Sequence, residues 1–281
     1  MTKDKTVLIT GCSMGLGAAT ATYFANNGWN VVATMRSPDS NNTLEQRSNI
    51  LVLKLDVQDK STIKQSIEKA IDYFGKIDVV INNAGFGMNG IFESIPEERV
   101  IEQFDVNVFG AMNVTRAILP HFREKQNGLI LNISSGVGVF GLPLGSLYTA
   151  SKFALEGFTE AISYELASIG VVVKLIEPGA VAETGFPKRS AQEFGSYKAP
   201  VEYNRIIQSM GGVFQKFRTN ADPDALSKVV QCIYLASTDN TNQLRYLVTE
   251  DIVPMVKLRR ECSEEKFMTK MREIFNYELF R

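Results

Sequence analysis

Residues 6–17 read TVLITGCSMGLG, a short apolar run that leads directly into three glycines. The run Thr6–Thr10 is rich in β-branched residues, which is typical of a buried parallel strand. The glycines permit a tight turn, and residues 18–27 continue with a helical pattern. Backbone in such a turn can approach a pyrophosphate, which the free N–H groups at the helix N-terminus then bind. The stretch therefore predicts a dinucleotide site on a strand–turn–helix unit.

The rest of the chain alternates between strand and helix patterns. Apolar runs predict strands at residues 29–35, 49–55, 77–81, 128–134 and 171–176. Helical patterns cover residues 59–74, 96–125 and 147–169, with Asp59 as the N-cap of the first. This order predicts an α/β fold: a single doubly wound, Rossmann-type parallel sheet with helices on both faces. Ligands of such sheets bind at the carboxyl ends of the strands.

Length and composition favour a soluble globular protein. The 281 residues suit one dinucleotide-binding and catalytic domain over 1–281. A net charge of −1 offers no electrostatic footprint for nucleic acid. No apolar stretch approaches the roughly 20 residues that a membrane helix needs. The N-terminus runs straight into the first strand, which leaves no room for a signal peptide, so we expect a cytoplasmic protein.

Cysteine and histidine usage excludes several other kinds of site. The three cysteines are scattered and odd in number, which favours reduced thiols. Neither zinc-type nor CxxC spacing occurs, and we expect no metal. His121 is the one histidine, which argues against a Ser-His-Asp hydrolase, and no Gly-x-Ser-x-Gly motif is present.

A second group of residues carries redox chemistry. Tyr148 and Lys152 are four residues apart in a helical segment, so both side chains lie on one helix face. An ammonium beside a phenol favours the phenolate, and we expect the Tyr148 pKa to lie below the value of about 10 for free tyrosine. Ser135 ends an apolar run and can place its hydroxyl near the same reacting oxygen. The three together predict carbonyl/alcohol redox chemistry with a hydride carrier bound nearby.

In this order, these motifs resemble the short-chain dehydrogenase/reductase family. The resemblance covers about residues 5–180 and rests on Thr10-Gly-x-x-x-Gly-x-Gly17, Asn82-Asn-Ala-Gly85, Asn107, Ser135, Tyr148-x-x-x-Lys152 and Pro178-Gly179. It implies that Tyr148 is the catalytic acid/base and that Ser135 orients and polarises the carbonyl. It also implies that Lys152 lowers the Tyr148 pKa and holds the nicotinamide ribose. Asn107 would hold a water that links Lys152 to solvent.

The resemblance also implies a set of cofactor contacts. Asp56 would receive the adenine amino group beside the Val57 backbone, although Asp56 can equally be a simple loop or cap residue. Thr184 lies one residue later than the commonest family pattern. The remaining contacts are the turn residues Gly11, Ser13, Gly15, Leu16 and Gly17, the adenosine-side residues Asn83, Ala84 and Gly85, and the nicotinamide-side residues Pro178, Gly179 and Val181.

The residue after the second strand indicates which nicotinamide cofactor is used. Folds that prefer NAD usually carry an acid there, whereas this chain has Met35 and then Arg36. A guanidinium suits the 2′-phosphate of NADP, and Ser13 can donate a second hydrogen bond. We therefore expect NADP(H). Met14 stands where some relatives have a serine that shares the phosphate, and an exposed arginine without a ligand would leave an NAD-preferring alcohol dehydrogenase as the alternative.

The substrate is expected to be hydrophobic. Residues 185–218 are long, aromatic and punctuated by glycine, which favours a helical lid insertion, or else a hydrophobic tether between subunits. Apolar residues lie beside the motifs, namely Met88, Phe92, Phe140, Leu142 and Leu144. Further stretches resemble the branch with 17β-hydroxysteroid and retinol dehydrogenases. That branch implies a steroid-, retinoid- or aryl-ketone-like ketone and its secondary alcohol.

Assembly and alternative functions complete the expectations. The apolar helices near 98–125 and 152–168 correspond to helices that form homodimers or homotetramers in this family, although their apolar faces can equally serve only their own sheet. A sugar-nucleotide epimerase or dehydratase shares Tyr-x-x-x-Lys but usually has a different glycine spacing and a larger C-terminal domain. A non-catalytic NADP-binding regulator is the alternative from another class.

Overall fold

The computed structural model describes residues 5–38, 44, 47–219 and 221–275. Within them the strands form one parallel sheet, in the order β3-β2-β1-β4-β5-β6-β7. The strands are β1 (Thr6–Thr10), β2 (Asn30–Met35), β3 (Ile50–Lys54), β4 (Val79–Asn82), β5 (Gly128–Ile133), β6 (Val171–Glu177) and β7 (Arg245–Leu247). The chain runs from β1 outward to β3 and then returns to β4 on the other side of β1. This reversal of direction creates a crevice at the carboxyl ends of β1 and β4.

Helices cover both faces of the sheet. They are α1 (Gly15–Asn26), α2 (Lys60–Phe74), α3 (Glu97–Phe104), α4 (Ala111–Lys125), α5 (Ser146–Ala167), α6 (Phe186–Gly195), α7 (Asn204–Thr219), α8 (Ala225–Thr238), α9 (Val253–Glu261) and α10 (Glu264–Ile274). On one face α1 and α8 pack against the strands through buried Phe24 and Ile233. On the other face α2 and α4 do so through Ile63 and Phe122. The predicted doubly wound α/β sheet is confirmed.

Several element boundaries differ from the sequence prediction. The predicted helix over 96–125 is three consecutive segments: α3, a π-helical turn at Asp105–Gly110, and α4. β7 was not predicted, because three residues at a sheet edge produce no apolar run. The N-cap prediction is confirmed, since Asp59 Oδ1 accepts hydrogen bonds from the N–H groups of Ser61 at 2.8 Å and Thr62 at 3.4 Å.

The predicted insertion over 185–218 is helical and consists mainly of α6 and α7. Its apolar residues join a third buried cluster, which also contains Phe140 and Leu144 and packs against Tyr148. Met88 is buried in a separate small cluster, while Phe92 is exposed. None of the helices in the described residues is long and apolar enough to cross a membrane. That the whole chain forms one domain stays a prediction.

Candidate active site

Two hydroxyl groups meet at the carboxyl end of β5. Ser135 follows β5 directly, Tyr148 lies in the first turn of α5, and their side chains are hydrogen-bonded. Ser135 Oγ also donates to the Pro178 carbonyl oxygen at 3.3 Å and accepts from the Val137 N–H at 3.4 Å. Backbone from two loops therefore fixes the serine hydroxyl beside the phenol.

A buried ammonium completes this group, but it does not acidify the phenol as the sequence analysis expected. Lys152 Nζ lies 5.7 Å from the centroid of the Tyr148 ring and donates to the Ile133 carbonyl oxygen at 2.7 Å. Tyr148 is half-buried by surface area, yet dense protein surrounds it. Burial raises the Tyr148 pKa to about 12, against a smaller lowering by the Ser135 hydroxyl. The expected lowering is wrong here because the loss of hydration on burial is the largest influence on the Tyr148 pKa.

Burial acts on Lys152 in the opposite sense. It lowers the Lys152 pKa to about 8, since a low-dielectric environment disfavours the charged form, while the Glu156 carboxylate raises it. Near neutral pH the phenol is therefore protonated and the lysine is largely an ammonium ion. This pair of states suits the donation of a proton to an oxygen that gains negative charge.

Asn107 lies in the π-helical turn, a type of distortion that is frequent at functional sites. Its amide donates to the Phe86 carbonyl oxygen at 2.9 Å and to Ser151 Oγ at 3.1 Å, and its Oδ1 accepts from the Phe86 N–H at 3.0 Å. Ser151 in turn donates to the Tyr148 carbonyl oxygen at 2.8 Å. Asn107 is therefore joined to the helix that carries Tyr148 and Lys152.

Sequence reasoning missed a buried polar chain beneath these residues. Asn82 Nδ2 donates to Asn132 Oδ1 at 2.8 Å, and Asn132 Nδ2 donates to Thr159 Oγ1 at 2.8 Å. The Thr159 hydroxyl donates a hydrogen bond to the Leu155 carbonyl oxygen at 2.6 Å. The chain ties β4 and β5 to α5. An asparagine inside the apolar run of β5 was the available signal.

The glycine turn after β1 forms a close-fitting backbone cradle. Gly11 and Gly15 adopt φ values of 74° and 58°, which side-chain-bearing residues rarely adopt. A Cβ at Gly17 would overlap the Gly11 carbonyl oxygen and lie 2.6 Å from Asn83 Nδ2. The N-terminus of α1 has no side-chain cap from Met14 and no acid in its first turn. Its N–H groups and positive dipole end are therefore suited to an anion.

The crowding at Gly17 leads to a stability prediction. Gly17→Ala is expected to lower the free energy of unfolding by about 1–3 kcal/mol, because the added methyl forces the turn apart. It should also weaken dinucleotide binding by displacing the cradle. Thermal unfolding and NADPH fluorescence titration measure the two effects. Gly211→Ala in α7, where a Cβ meets nothing within 4 Å, is the matched control. Equal stability and equal NADPH binding of the two variants would contradict the crowding at Gly17.

The structure places the remaining cofactor candidates around this turn. Asn83 Nδ2 donates to the carbonyl oxygens of Thr10 at 2.8 Å and Gly11 at 3.2 Å. The Thr10 hydroxyl accepts from the N–H groups of Asn83 and Ala84, both at 3.0 Å. Gly85 lies so close to Asn107 that a Cβ would be 3.2 Å from its Oδ1. The adenosine-side candidates are therefore built into the end of β1.

The candidates near the adenine end are more dispersed. Ser13 and Arg36 are exposed, and Leu16 packs partly against the core. The Asp56 carboxylate accepts from the Gln58 N–H at 3.0 Å, which is the local loop role left open above. Val57 is buried, against Gly110.

The loop after β6 approaches the glycine turn from the other side. Thr184 Oγ1 donates to the Val181 carbonyl oxygen at 2.9 Å, and a Cβ at Gly15 would lie 3.2 Å from Thr184 Cβ. The Gly179 N–H donates to Thr249 Oγ1 at 2.7 Å. Asp251 Oδ2 accepts from the next N–H, that of Ala180, at 2.9 Å.

These last two partners, Thr249 and Asp251, were not identified from the sequence as site residues. They hold the loop after Pro178 from a distance of about 70 residues along the chain. The signal available for Thr249 was that residues 244–250, LRYLVTE, resemble the branch with 17β-hydroxysteroid and retinol dehydrogenases.

The insertion over residues 185–218 also brings side chains near the site that the sequence analysis did not single out. The Arg189 guanidinium of α6 lies 4.0 Å from the centroid of the Phe86 ring, in cation–π contact. Arg99 of α3 pairs with Glu193 of α6. Burial lowers the Arg189 pKa, the Glu193 and Glu102 carboxylates raise it, and the cations Arg36 and Arg99 lower it further. Arg189 lies 3.9 Å from the Glu102 carboxylate and 3.8 Å from that of Glu193.

Comparisons with known proteins agree with this geometry. The family profile described as short chain dehydrogenase matches residues 5–193. An uncharacterised oxidoreductase of Schizosaccharomyces pombe is 40% identical over 240 residues, which cover 85% of this chain and 98% of the relative. Human 17-beta-hydroxysteroid dehydrogenase type 1 is 32% identical over 286 residues, which cover 96% of this chain and 85% of that protein.

Solved structures of dehydrogenases and reductases are also similar to this chain. A short-chain dehydrogenase from Streptomyces avermitilis has a TM-score of 0.81 at 28% identity, with 98% of each chain covered. ElxO with NADP bound has a TM-score of 0.69 at 25% identity, over 87% of this chain and 97% of that one. A Brucella melitensis 3-ketoacyl-(acyl-carrier-protein) reductase complexed with NADH has a TM-score of 0.67 at 25% identity, over 86% and 96%. This chain is therefore an oxidoreductase that belongs to the short-chain dehydrogenase/reductase family.

Proposed function

We propose that this protein is an NADP(H)-dependent oxidoreductase that interconverts a hydrophobic ketone and its secondary alcohol. The observation that carries the proposal is the contact between the Tyr148 and Ser135 hydroxyls beside the buried Lys152 ammonium. The three groups converge where β5 ends, at the edge of the sheet where ligands of this fold bind.

Each of these side chains has a part in the proposed reduction. The Ser135 hydroxyl donates to the substrate carbonyl oxygen and orients it. Tyr148 gives its proton to that oxygen as negative charge develops there. Lys152 stabilises the phenolate that remains, and Asn107 holds the proton path to solvent. A bound nicotinamide supplies the hydride.

The glycine turn fits a dinucleotide. A Cβ at Gly17 would overlap the Gly11 carbonyl oxygen, so the turn needs glycine there. Helix α1 presents N–H groups without a side-chain cap and without an acid in its first turn. Gly11, Gly15 and Leu16 would hold the pyrophosphate there. Asn83, Ala84 and Gly85 would line the adenosine side, and Pro178, Gly179, Val181 and Thr184 the nicotinamide side.

The choice of NADP(H) over NAD(H) rests on a cation at the adenine end. Arg36 follows β2 where an acid would favour NAD, and Ser13 is exposed in the adjoining turn. The charge of Arg36 also acts on Arg189 of α6, which is itself paired with Glu102 and Glu193. The NADP in the ElxO structure supports this choice, while the NADH in the Brucella structure keeps an NAD-preferring enzyme as the alternative.

A hydrophobic substrate follows from the surroundings of Tyr148. The cluster against which the phenol packs is apolar and includes lid residues Met210 and Phe214. Such a lining favours a bulky ketone of the steroid, retinoid or aryl class over a sugar. The name of the human hydroxysteroid relative is consistent with this class.

We also propose a homodimer or homotetramer. Phe153 and Tyr164 of α5 are 41% and 74% exposed, and Phe109 in the π-helical turn before α4 is 51% exposed. Large apolar side chains on α5 and the turn that contacts it are suited to a subunit interface. Sedimentation equilibrium measures the assembly directly.

A ketone panel tests the proposed activity. Purified protein with NADPH should reduce steroid-, retinoid- or aryl-type ketones, with kcat/KM for NADPH at least about tenfold above that for NADH, as one charge-assisted contact would give. A preference for NADH would refute the cofactor assignment alone. Tight NADPH binding without turnover on the whole panel would instead support a non-catalytic regulator.

A further inference from the structure

We infer that Glu156 is a positioning residue that keeps Lys152 in its ammonium form, with Arg245 of β7 as the counter-ion of Glu156. The inference rests on the proposed function in that Lys152 serves the reaction. It extends the site to β7, which lies beyond the residues matched by the family profile.

Glu156 lies one helical turn after Lys152 on α5, so the two side chains share a face. It is 6% exposed, and the Ser134 hydroxyl lies beside its carboxylate. Ser134 immediately precedes Ser135. A carboxyl group at this depth carries a desolvation cost that a charged or polar partner must offset.

Arg245 offsets that cost. Its Nε lies 2.9 Å from Glu156 Oε2, and its Nη2 lies 2.5 Å from Glu160 Oε2. Glu177, fully buried, faces the same guanidinium at 3.5 Å but has Arg260 as its own partner at 2.5 Å. Arg245 therefore faces three carboxylates, the two acids of α5 and Glu177.

The charges around Glu156 act in both directions. Burial raises its pKa, and the neighbouring Glu177 carboxylate adds to that, whereas the Ser134 hydroxyl and Arg245 lower it. Of these groups, Arg245 supplies the positive charge that favours an ionised Glu156. Lys152 lies beside the Tyr148 ring and donates to the Ile133 carbonyl oxygen. It shares a helix face with Glu156, whose charge also acts on it.

Removal of the Glu156 carboxylate is expected to lower the Lys152 pKa. Burial lowers the Lys152 pKa and the Glu156 carboxylate raises it, to a balance at about 8. Loss of that carboxylate leaves burial unopposed, so Lys152 would lose its proton at lower pH. Above that pH the neutral amine no longer stabilises the Tyr148 phenolate, and ketone reduction slows.

The test is an NMR titration of Lys152 in protein labelled with carbon-13 lysine, with the signal assigned from its loss in Lys152→Arg. The Lys152 midpoint should lie near pH 8 in the parent protein and fall by about one pH unit in Glu156→Gln, as loss of one close opposite charge implies. Glu160→Gln is the matched control, because it removes an acid paired with the same arginine from a side chain that is 45% exposed. Its Lys152 midpoint should be unchanged.

A second readout is the pH profile of ketone reduction, whose alkaline limb should move down by the same amount in Glu156→Gln only. If Glu156→Gln does not fold because its ion pair with Arg245 is lost, Glu156→Met/Arg245→Met removes both charges and should also lower the midpoint. An unchanged Lys152 midpoint in the folded variant overturns the inference. A shifted midpoint in a protein that reduces no ketone supports it and refutes the proposed function alone.

Discussion

Replacing Tyr148 by phenylalanine is expected to lower kcat/KM for ketone reduction by about 10²- to 10⁴-fold, the contribution of a general acid at the reacting atom. The phenol is protonated at neutral pH, since burial raises its pKa to about 12. Phenylalanine keeps the ring that packs on the lid cluster but has no proton to donate. NADPH binding and thermal stability should therefore remain close to those of the parent protein.

The control for this variant is on the same helix. Tyr164→Phe removes a phenol that is 74% exposed on α5 and should leave kcat/KM unchanged. Steady-state kinetics with NADPH and the best ketone of the panel compare the two variants. A Tyr148→Phe protein that keeps more than about one tenth of the parent kcat/KM would contradict its role as the acid.

Replacing Arg36 by aspartate is expected to have the second-largest effect. The variant removes the guanidinium proposed to bind the 2′-phosphate and places a carboxylate beside it. Loss of the charge-assisted hydrogen bonds should lower kcat/KM for NADPH by about 10²-fold. A carboxylate at that position also suits the ribose 2′-OH of NAD, so kcat/KM for NADH should be maintained or increased.

The matched control is Lys64→Asp, which makes the same change of charge at an exposed position on α2. It should leave the NADPH/NADH ratio unchanged. Kinetics with both cofactors at fixed ketone measure the ratio. If Arg36→Asp alters NADPH and NADH kinetics equally, Arg36 does not distinguish the cofactors.

The sequence was informative wherever chemistry and structure are set locally. The β1–α1 turn is defined by adjacent residues whose backbone conformations only glycine adopts readily, so its position was predictable. Tyr148 and Lys152 are one helical turn apart, and any helix through them places both on one face. The alternation of apolar runs with helical patterns similarly predicted a parallel sheet with helices on both faces.

Properties that depend on depth or on distant partners were not predictable in this way. The predicted direction of the Tyr148 pKa shift was wrong, because the four-residue spacing reveals the nearby ammonium but not the burial that raises the pKa. Arg245 meets Glu156 across 89 residues, and no local pattern pairs them. The contact between Arg189 and Phe86 exists only because α6 folds back over the end of β4.

Deuterium transfer tests the central claim most directly. The protein is incubated with a ketone of the panel and NADPH carrying deuterium at C4, in separate experiments with the 4R and 4S isotopomers, and the alcohol is analysed by mass spectrometry. We expect one isotopomer alone to label the carbinol carbon, and at least about 10²-fold less labelled alcohol with Tyr148→Phe in the same time. Absence of label from the alcohol with both isotopomers, or equal labelling by the parent protein and Tyr148→Phe, would contradict reduction by a nicotinamide hydride with Tyr148 as the proton donor.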